Sequence, residues 1–219
     1  HSHSFFRLMK TITCYIDFIS PYAYLAFEAL PKALTDSPSY QVVYKPVLFA
    51  ALLKHHGQLG PAEIAGKREW TYRQVLWQAK EHGVAFDMPL AHPFNPLSLL
   101  RLSVACDAHG TPNRYVCETI FRHVWQGGAV ADDAQRLAQL TQQLQPQRSP
   151  ESAEVKSQLK SYTDEAVAAG VFGVPTFAVE DKLFWGLDAL PMLRAYLASD
   201  PWFDNHWADA ASVMQGVRR

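Results

Sequence analysis

The sequence predicts an α/β fold in which β-strands lie near both ends of the chain and a long all-helical block lies between them. Two runs rich in β-branched and aromatic residues occur near the start, and two shorter runs occur near the end. Helical patterns separated by glycine- and proline-containing turns fill the middle. With 219 residues, 48% of them hydrophobic, the chain can bury a sizeable core as one domain or as one domain with a large insertion.

The first strand is predicted to run directly into a helix. Residues 11–18 (TITCYIDF) have the length and composition of a strand. Ser20-Pro21 follows and supplies an N-cap and a proline suited to the first helical turn. We expect this helix to continue to Leu30 and, after the turn residues 36–39, a second strand at residues 40–44. The chain therefore opens as β-α-β.

The middle of the chain predicts about six helices between residues 46 and 169. Their capping residues define the three clearest helices, at residues 114–126, 132–144 and 149–169. Two further strands are predicted at residues 176–179 and 183–185, and one more helix follows at residues 189–197. The pattern leaves open whether the tail after Pro201 packs through its tryptophans or frays.

This order of elements predicts a thioredoxin-like core that is opened to admit an all-helical insertion. We assign residues 9–46 and 170–202 to one discontinuous thioredoxin-like domain, residues 47–169 to the insertion and residues 203–219 to a C-terminal tail. Residues 1–8 are expected to be a remnant of recombinant expression before a native start at Met9.

Composition narrows the class of partner. Twenty basic and twenty-one acidic residues give a formal charge of -1, which argues against nucleic acid or an acidic membrane as the partner. The apolar runs are far shorter than the roughly 20 residues that cross a bilayer. The three cysteines have no paired spacing, and the histidines have no clustered ligand spacing. We expect a cytoplasmic protein with a small-molecule partner and no metal site.

Ser20 stands where ligands of open α/β sheets bind, beyond the carboxyl end of a strand and at a helix N-terminus. Its hydroxyl can donate a hydrogen bond to an anionic sulfur, which the positive end of the helix dipole also favours. Taken alone, a serine before proline more often serves only as a helix cap. That alternative stays open.

Two further features carry groups that can bind a ligand, and the second of them is expected at the same end of the sheet as Ser20. Pro175 directly precedes a strand, a position that favours a cis peptide bond, and the backbone of Val174 can pair with an extended peptide as an added strand. The segment Trp185-Gly186-Leu187-Asp188 offers N–H donors for a carboxylate and the Asp188 side chain for an ammonium group. An ordinary loop proline and a helix cap are the simpler alternatives.

Taken together, residues 17–25 (DFISPYAYL) and 172–177 (FGVPTF) resemble the DsbA-like branch that contains kappa-class glutathione transferases and 2-hydroxychromene-2-carboxylate isomerases. The resemblance covers nearly the whole chain. It implies that Ser20 meets the sulfur of glutathione, that Val174-Pro175 binds the tripeptide backbone, and that residues 185–188 bind its glutamyl end. Related oxidoreductases carry Cys-x-x-Cys where this chain has residues 20–23 (SPYA), so the sulfur chemistry must come from the cofactor.

The same resemblance implies substrate contacts by Lys67, Arg68 and Asn95. A basic side chain can clamp the carboxylate of an acid, and Asn95 can bond a hydroxyl or a carbonyl. A solvated helix face is the alternative for the basic pair. Residues 60–63 contain no asparagine, which some relatives have there, so the substrate can differ from that of the named isomerases.

These features predict a glutathione-dependent isomerase of 2-hydroxychromene-2-carboxylate or a similar aromatic oxo-acid, with the thiolate of glutathione held by Ser20 as nucleophile. One alternative is a kappa-like transferase or peroxidase that consumes glutathione. Another is a non-catalytic DsbA-like module that holds extended peptides at Val174-Pro175. Relatives are commonly dimers, so we expect a homodimer.

Overall fold

A computed structural model describes residues 9–218, so the predicted expression remnant lies outside the described residues. Within this range one sheet has four strands, β1 (Lys10–Ile16), β2 (Tyr40–Pro46), β3 (Thr176–Val179) and β4 (Lys182–Trp185). The α-helices of the same range are α1 (Pro21–Ala33), α2 (Phe49–His55), α3 (Lys67–His82), α4 (Leu97–Ala105), α5 (Arg114–Trp125), α6 (Ala134–Leu144), α7 (Ala153–Ala168), α8 (Leu190–Leu197) and α9 (Trp202–Asn205). Short 3-10 helices occur at Pro61–Glu63, Leu187–Ala189 and Trp207–Ser212. No helix among the described residues has both the length and the apolar character of a membrane span.

The strands are arranged in the order β2-β1-β3-β4. β1 is parallel to β2 and antiparallel to β3, and β3 is antiparallel to β4. In this register Ile12 lies opposite Val179, and Cys14 opposite Phe177. The central strand therefore has one neighbour close to it in sequence and one from the far end of the chain.

The predicted order β-α-β, helices, β-β-α is confirmed, with α2 to α7 between β2 and β3. One predicted boundary is wrong, because the last helix of the block begins at Ala153 with Ser152 as its N-cap, and not at Ser149-Pro150. Ser149 forms a preceding turn, in which its hydroxyl accepts the N–H of Glu151 and its carbonyl accepts the N–H of Ser152. The division into two domains stays a prediction.

Two apolar clusters cover opposite faces of the sheet. The larger one contains Cys14 and Phe177 together with buried residues of α1, α4, α5 and α8. The smaller one contains Tyr15 and Val171 with residues of α2 and α7. Because successive residues of a strand point to opposite faces, the neighbours Cys14 and Tyr15 enter different clusters.

An arginine from the helical block completes a hydrogen bond that α1 cannot make. Pro31 lies inside α1 and has no N–H, so the carbonyl of Phe27, four residues earlier, has no intrahelical donor. Nη2 of Arg114 donates to this carbonyl at 2.9 Å, and Nη1 donates to the hydroxyl of Tyr44, also at 2.9 Å. The helical block is thereby tied to α1 and β2.

The tail after α8 packs against the sheet, which settles what the sequence left open. Phe203 is buried, with its ring 5.1 Å from that of Tyr196 and 6.1 Å from that of Phe184. The ring of Trp207 lies 5.4 Å from Phe184. Residues of α9 and the last 3-10 helix thus extend the larger cluster.

Phe121 of α5 joins the helical block to the opening β-α-β unit, and its removal should destabilise both. The ring is fully buried, 4.8 Å from that of Phe18 and 5.1 Å from that of Phe27. We expect Phe121→Ala to lower the free energy of unfolding by about 4 kcal/mol, because the deleted ring leaves a cavity. Urea denaturation measures the loss. Tyr115→Ala, at a side chain 59% exposed on the same helix, should cost less than about 0.5 kcal/mol, and equal losses would contradict the prediction.

Candidate active site

Residues 17–20, which we call the entry turn, connect β1 to α1 and are held by distant parts of the chain. The indole Nε1 of Trp125 donates to the carbonyl of Phe18 at 2.9 Å. Nε2 of His92 lies 2.7 Å from the carbonyl of Ile19. Because buried backbone groups need partners, these contacts fix the path by which the chain enters α1.

The carboxyl group of Asp17 is buried at the start of the entry turn. Oδ1 accepts the N–H of Ile19 at 3.2 Å, and Oδ2 accepts the N–H of Phe49 at 2.9 Å. Burial raises the pKa of Asp17 to about 7, while hydrogen bonds from Phe49, Ile19 and Phe18 oppose this rise. Asp17 was not predicted as a site residue from the sequence. An acidic residue directly after an apolar strand is the signal that could have identified it.

Ser20 is the N-cap of α1, as the sequence predicts. Its Oγ accepts the N–H of Ala23 at 3.1 Å and lies 3.5 Å from the carbonyl of Val174. A hydroxyl has one hydrogen and two lone pairs, so capping and donation do not exclude each other. Since 3.5 Å is long for an O–H···O bond, the hydrogen can turn to a stronger acceptor. The residue is buried, where the helix dipole favours an anion.

The two predicted cofactor segments lie beside Ser20 and are bonded to each other. The Val174–Pro175 peptide bond is cis, as expected, and the carbonyl of Pro175 accepts the N–H of Gly186 at 2.9 Å. Within residues 9–218 no backbone or side-chain acceptor takes the N–H of Val174. The loop therefore presents one unused backbone donor next to the Ser20 hydroxyl.

An aromatic pair flanks this loop. The rings of Phe172 and Trp185 meet edge to face with centroids 4.9 Å apart, and both remain more than one-third exposed. A Cβ on Gly173 would lie only 2.7 Å from Nε1 of Trp185, so glycine is needed for the indole to lie across the chain there. Leu187 is buried, which leaves only its backbone to face a ligand.

Asp188 places a negative charge near the first turn of α1. The pKa of Tyr22 is raised mainly by burial of its hydroxyl and, to a smaller extent, by the negative charge of Asp188. The Tyr22 hydroxyl donates to Oε1 of Gln74 at 2.7 Å, which ties α1 to α3. Asp188 itself is exposed and can receive a cationic group. Within residues 9–218 no group of three or more His, Cys, Asp or Glu could hold a metal ion.

Of the predicted substrate residues, Arg68 is connected to the entry turn through His92, whose ring contacts the carbonyl of Ile19. Its Nη2 donates to the carbonyl of His92 at 2.8 Å, and its Nε donates to the hydroxyl of Tyr72 at 3.3 Å. Nδ1 of His92 lies 2.6 Å from the same hydroxyl. No acidic residue of the described part of the chain forms an ion pair with Arg68. Its charge is therefore open to an anionic ligand.

Lys67 and Asn95 lie on the surface without a bond to the entry turn. The side chain of Lys67, at the start of α3, makes no hydrogen bond or ion pair with any residue between 9 and 218. Oδ1 of Asn95 accepts the N–H of Leu97 at 3.0 Å, which leaves its NH₂ group for a ligand. These two residues stay candidates on the sequence argument.

His92 and Tyr72 are functional candidates that the sequence analysis missed. The substrate contact predicted in this part of the sequence was Asn95, three residues after His92. Tyr72 lies four residues after Arg68 on α3, and that spacing on a helix is the signal that could have paired them. The contact between Tyr72 and His92 has no local pattern, because it joins a helix to a loop.

Comparison with known proteins supports the fold. Residues 11–198 match the family described as DSBA-like thioredoxin domain. A solved structure of 2-hydroxychromene-2-carboxylate isomerase is similar with a TM-score of 0.76 and 22% identity, covering 90% of this chain and 98% of that structure. The predicted α/β fold, a DsbA-like thioredoxin core with a helical insertion, is thereby confirmed.

Relatives of known name fall into two groups. Glutathione s-transferase kappa 2 of Caenorhabditis elegans is 27% identical over 213 residues, covering 86% of this chain and 92% of the relative. The 2-hydroxychromene-2-carboxylate isomerase of Pseudomonas putida is 30% identical over 192 residues, covering 83% of this chain and 91% of the relative. Both groups are those that the sequence resembles.

Replacing Gly173 should move Trp185. We expect Gly173→Ala to displace the exposed indole, because the new Cβ would overlap Nε1, and to change the free energy of unfolding by less than about 1 kcal/mol. The NMR resonance of the Trp185 indole N–H reports the displacement. Gly216→Ala is the control, since nothing lies within 4 Å of a Cβ there. An unchanged Trp185 resonance in Gly173→Ala would show that the close contact is absent.

Asp17 should make stability depend on pH. The folded protein binds the Asp17 proton more tightly than the unfolded chain does, because the pKa rises from 3.8 to about 7. Relative to Asp17→Asn, the wild type should therefore lose stability as the pH rises from about 4 to 7, by at most about 4 kcal/mol. Urea denaturation of both proteins across this range gives the difference. A difference that is flat or that grows in favour of the wild type contradicts the prediction.

Proposed function

Since the chain belongs to the DSBA-like thioredoxin domain family, we propose that it is an enzyme that binds glutathione at the entry turn and isomerises 2-hydroxychromene-2-carboxylate or a similar aromatic oxo-acid. The observation that carries this proposal is the hydroxyl of Ser20. It lies at a helix N-terminus with a hydrogen that has only a weak acceptor, next to an unused N–H of Val174. Relatives named as kappa glutathione transferases and as isomerases support the choice of cofactor and reaction.

The residues at this edge fit the parts of glutathione. Ser20 would donate to the sulfur, and the N–H and C=O of Val174 would pair with the cysteinyl backbone as an added strand. Asp188 would receive the ammonium of the glutamyl end, while the free N–H groups near Leu187 would receive its carboxylate. Trp185, lying across Gly173, would close the side of the groove.

When bound, glutathione would supply a thiolate that can add to a conjugated carbon–carbon double bond of the substrate and leave again, and that bond can rotate while it is single. Ser20 favours the ionised sulfur through its hydrogen bond and does not itself form a covalent bond. Arg68, whose charge no described acidic residue neutralises, would hold the substrate carboxylate. Lys67 and Asn95 would orient the acid and stabilise negative charge that develops on its carbonyl oxygen.

A kappa-like transferase or peroxidase is the second candidate, favoured by the relative named glutathione s-transferase kappa 2. It uses the same cofactor groove but consumes glutathione. Analysis of products separates the two: an isomerase leaves the glutathione concentration unchanged as 2-hydroxychromene-2-carboxylate is converted, whereas a transferase consumes one glutathione for each product. The homodimer and the cytoplasmic location stay predictions.

Calorimetric titration of glutathione should show that Ser20 binds the sulfur. We expect Ser20→Ala to weaken binding by about tenfold or more, because a hydrogen bond to a charged group is lost. S-methylglutathione, which has no ionisable thiol, should bind equally to both proteins. A wild-type protein that is folded but binds no glutathione would overturn the proposal and favour the peptide-binding module.

Ser152→Ala is the matched control for this variant. Ser152 is the N-cap of α7, and its hydroxyl accepts the N–H of Val155 at 3.2 Å. Ser152→Ala therefore removes the same kind of helix cap as Ser20→Ala does. α7 has 16 residues and is therefore roughly 24 Å long. Ser152 lies at its start, whereas the chain leads to Val174 from its other end. Both variants should lose about 1 kcal/mol of stability, but only Ser20→Ala should lose affinity.

Asp188→Asn should weaken the binding of glutathione by about three- to tenfold, because the side chain that would face the ammonium group of glutathione loses its charge. Asp181→Asn is the control, because Asp181 is exposed and carries the same charge at the β3–β4 turn. The same calorimetric titration measures both. An equal effect of the two substitutions would assign the change to net charge alone.

A further inference from the structure

His92 bonds both sides of the site at once. Its ring nitrogen Nε2 lies 2.7 Å from the carbonyl of Ile19, the residue before Ser20. Its backbone carbonyl accepts Nη2 of Arg68 at 2.8 Å. The sulfur side, represented by Ser20, and the substrate side, represented by Arg68, are therefore attached to a single residue.

The hydrogen bonds define the state of the His92 ring. The carbonyl of Ile19 can only accept, so Nε2 carries the hydrogen and donates it. In a neutral ring Nδ1 then has a lone pair for the Tyr72 hydroxyl, which lies 2.6 Å from it and 3.0 Å from the carbonyl of His92, so the shorter contact goes to Nδ1. The oxygen of that hydroxyl accepts Nε of Arg68. Burial lowers the pKa of His92, and the charge of Arg68 lowers it further, while the bond to Ile19 opposes this change. A neutral ring with hydrogen on Nε2 agrees with all of these contacts.

Aromatic packing holds the ring in place. His92 is 9% exposed, and its ring lies 5.4 Å from Tyr72, 5.4 Å from Trp125 and 6.0 Å from Phe94. Trp125 also holds the carbonyl of Phe18. The ring is therefore locked between α3, α5 and its own loop, and it can transmit a fixed position to the carbonyl of Ile19.

We propose that His92 is a positioning residue that sets Ser20 and Arg68 in one fixed relation, with the Tyr72 hydroxyl bridging its ring and Arg68. The proposal rests on the proposed function, because the relation matters only if sulfur binds at Ser20 and an acid binds at Arg68. Loss of the ring frees the Ile19 carbonyl, so Ser20 Oγ leaves its place beside the sulfur. The backbone carbonyl of residue 92 remains in every variant, and only its placement changes.

Three variants test this role. His92→Leu removes the donor, and His92→Gln keeps an amide N–H near the position of Nε2. Tyr72→Phe removes the hydroxyl that contacts Nδ1 and the carbonyl of His92 and that accepts Nε of Arg68. Ultraviolet absorbance of the thiolate, followed against pH in protein saturated with glutathione, gives the pKa of the bound thiol. Steady-state kinetics with 2-hydroxychromene-2-carboxylate give kcat and KM.

We expect His92→Leu to raise the pKa of the bound thiol by about 1 and to lower kcat by about tenfold. His92→Gln should restore most of both quantities. Tyr72→Phe should chiefly raise KM, by about threefold or more, because Arg68 loses one of its two acceptors. If His92→Leu does not fold, the thiol pKa in His92→Gln and the KM in Tyr72→Phe still decide the matter.

His123→Leu is the matched control. Nε2 of His123 makes the same kind of bond, to the carbonyl of Ala131 at 2.8 Å, and burial lowers the pKa of this histidine too. It should lose stability without changing the thiol pKa or kcat. If His92→Leu behaves like His123→Leu in a protein that binds glutathione, the positioning role is overturned. A wild type that binds no glutathione overturns the proposed function itself, and the positioning role with it.

Discussion

The polar groups of the entry turn are bonded by several other elements of the fold, and these bonds determine where α1 begins. The carboxyl group of Asp17 accepts N–H groups from its own turn and from α2. Carbonyls of the next two residues are bonded by Trp125 and His92, and the hydroxyl of Ser20 meets the loop before β3. Because each partner comes from a different element, Ser20 is fixed by the whole fold. Such fixed donors are the kind that stabilise charge without reorganisation.

A serine at this position changes the kind of chemistry that the fold can perform. A hydroxyl cannot form or exchange a disulfide, so in the proposed function the thiol is supplied by bound glutathione. The same hydroxyl keeps its role as N-cap through its lone pairs, while its hydrogen stays free for an anion. Capping and sulfur recognition, which compete as explanations in the sequence, are compatible in the structure. In the proposed function, Lys67 and Arg68 of α3, which belong to the helical insertion, would bind the second reactant.

The sequence predicted the strands, their order along the chain and the first helix, because these depend on local composition and on the pair Ser20-Pro21. The strand-end argument also placed residues 185–188 at the same end of the sheet as Ser20, and the family resemblance assigned Val174 to the same ligand. The predicted start of α7 was wrong because both Ser149 and Ser152 are suitable N-caps. Ser152 caps the helix, and Ser149 forms a separate turn before it. His92 and Trp125 could not be assigned, because each acts through one long-range contact to a backbone carbonyl. Such contacts follow no sequence periodicity, and every residue has a backbone carbonyl, so the sequence does not show which carbonyl is bonded.

The sheet order also constrains how the chain can mature during synthesis. β1 lies between β2, which follows it closely, and β3, which is made late. The nascent β-α-β unit therefore leaves the ribosome with one edge of its central strand unpaired, and such an edge invites association with other chains. The partners of the entry turn emerge in the order Phe49, His92, Trp125 and Val174. The place beside Ser20 is thus completed last, and a ribosome that stops before Val174 releases a chain that has no such place.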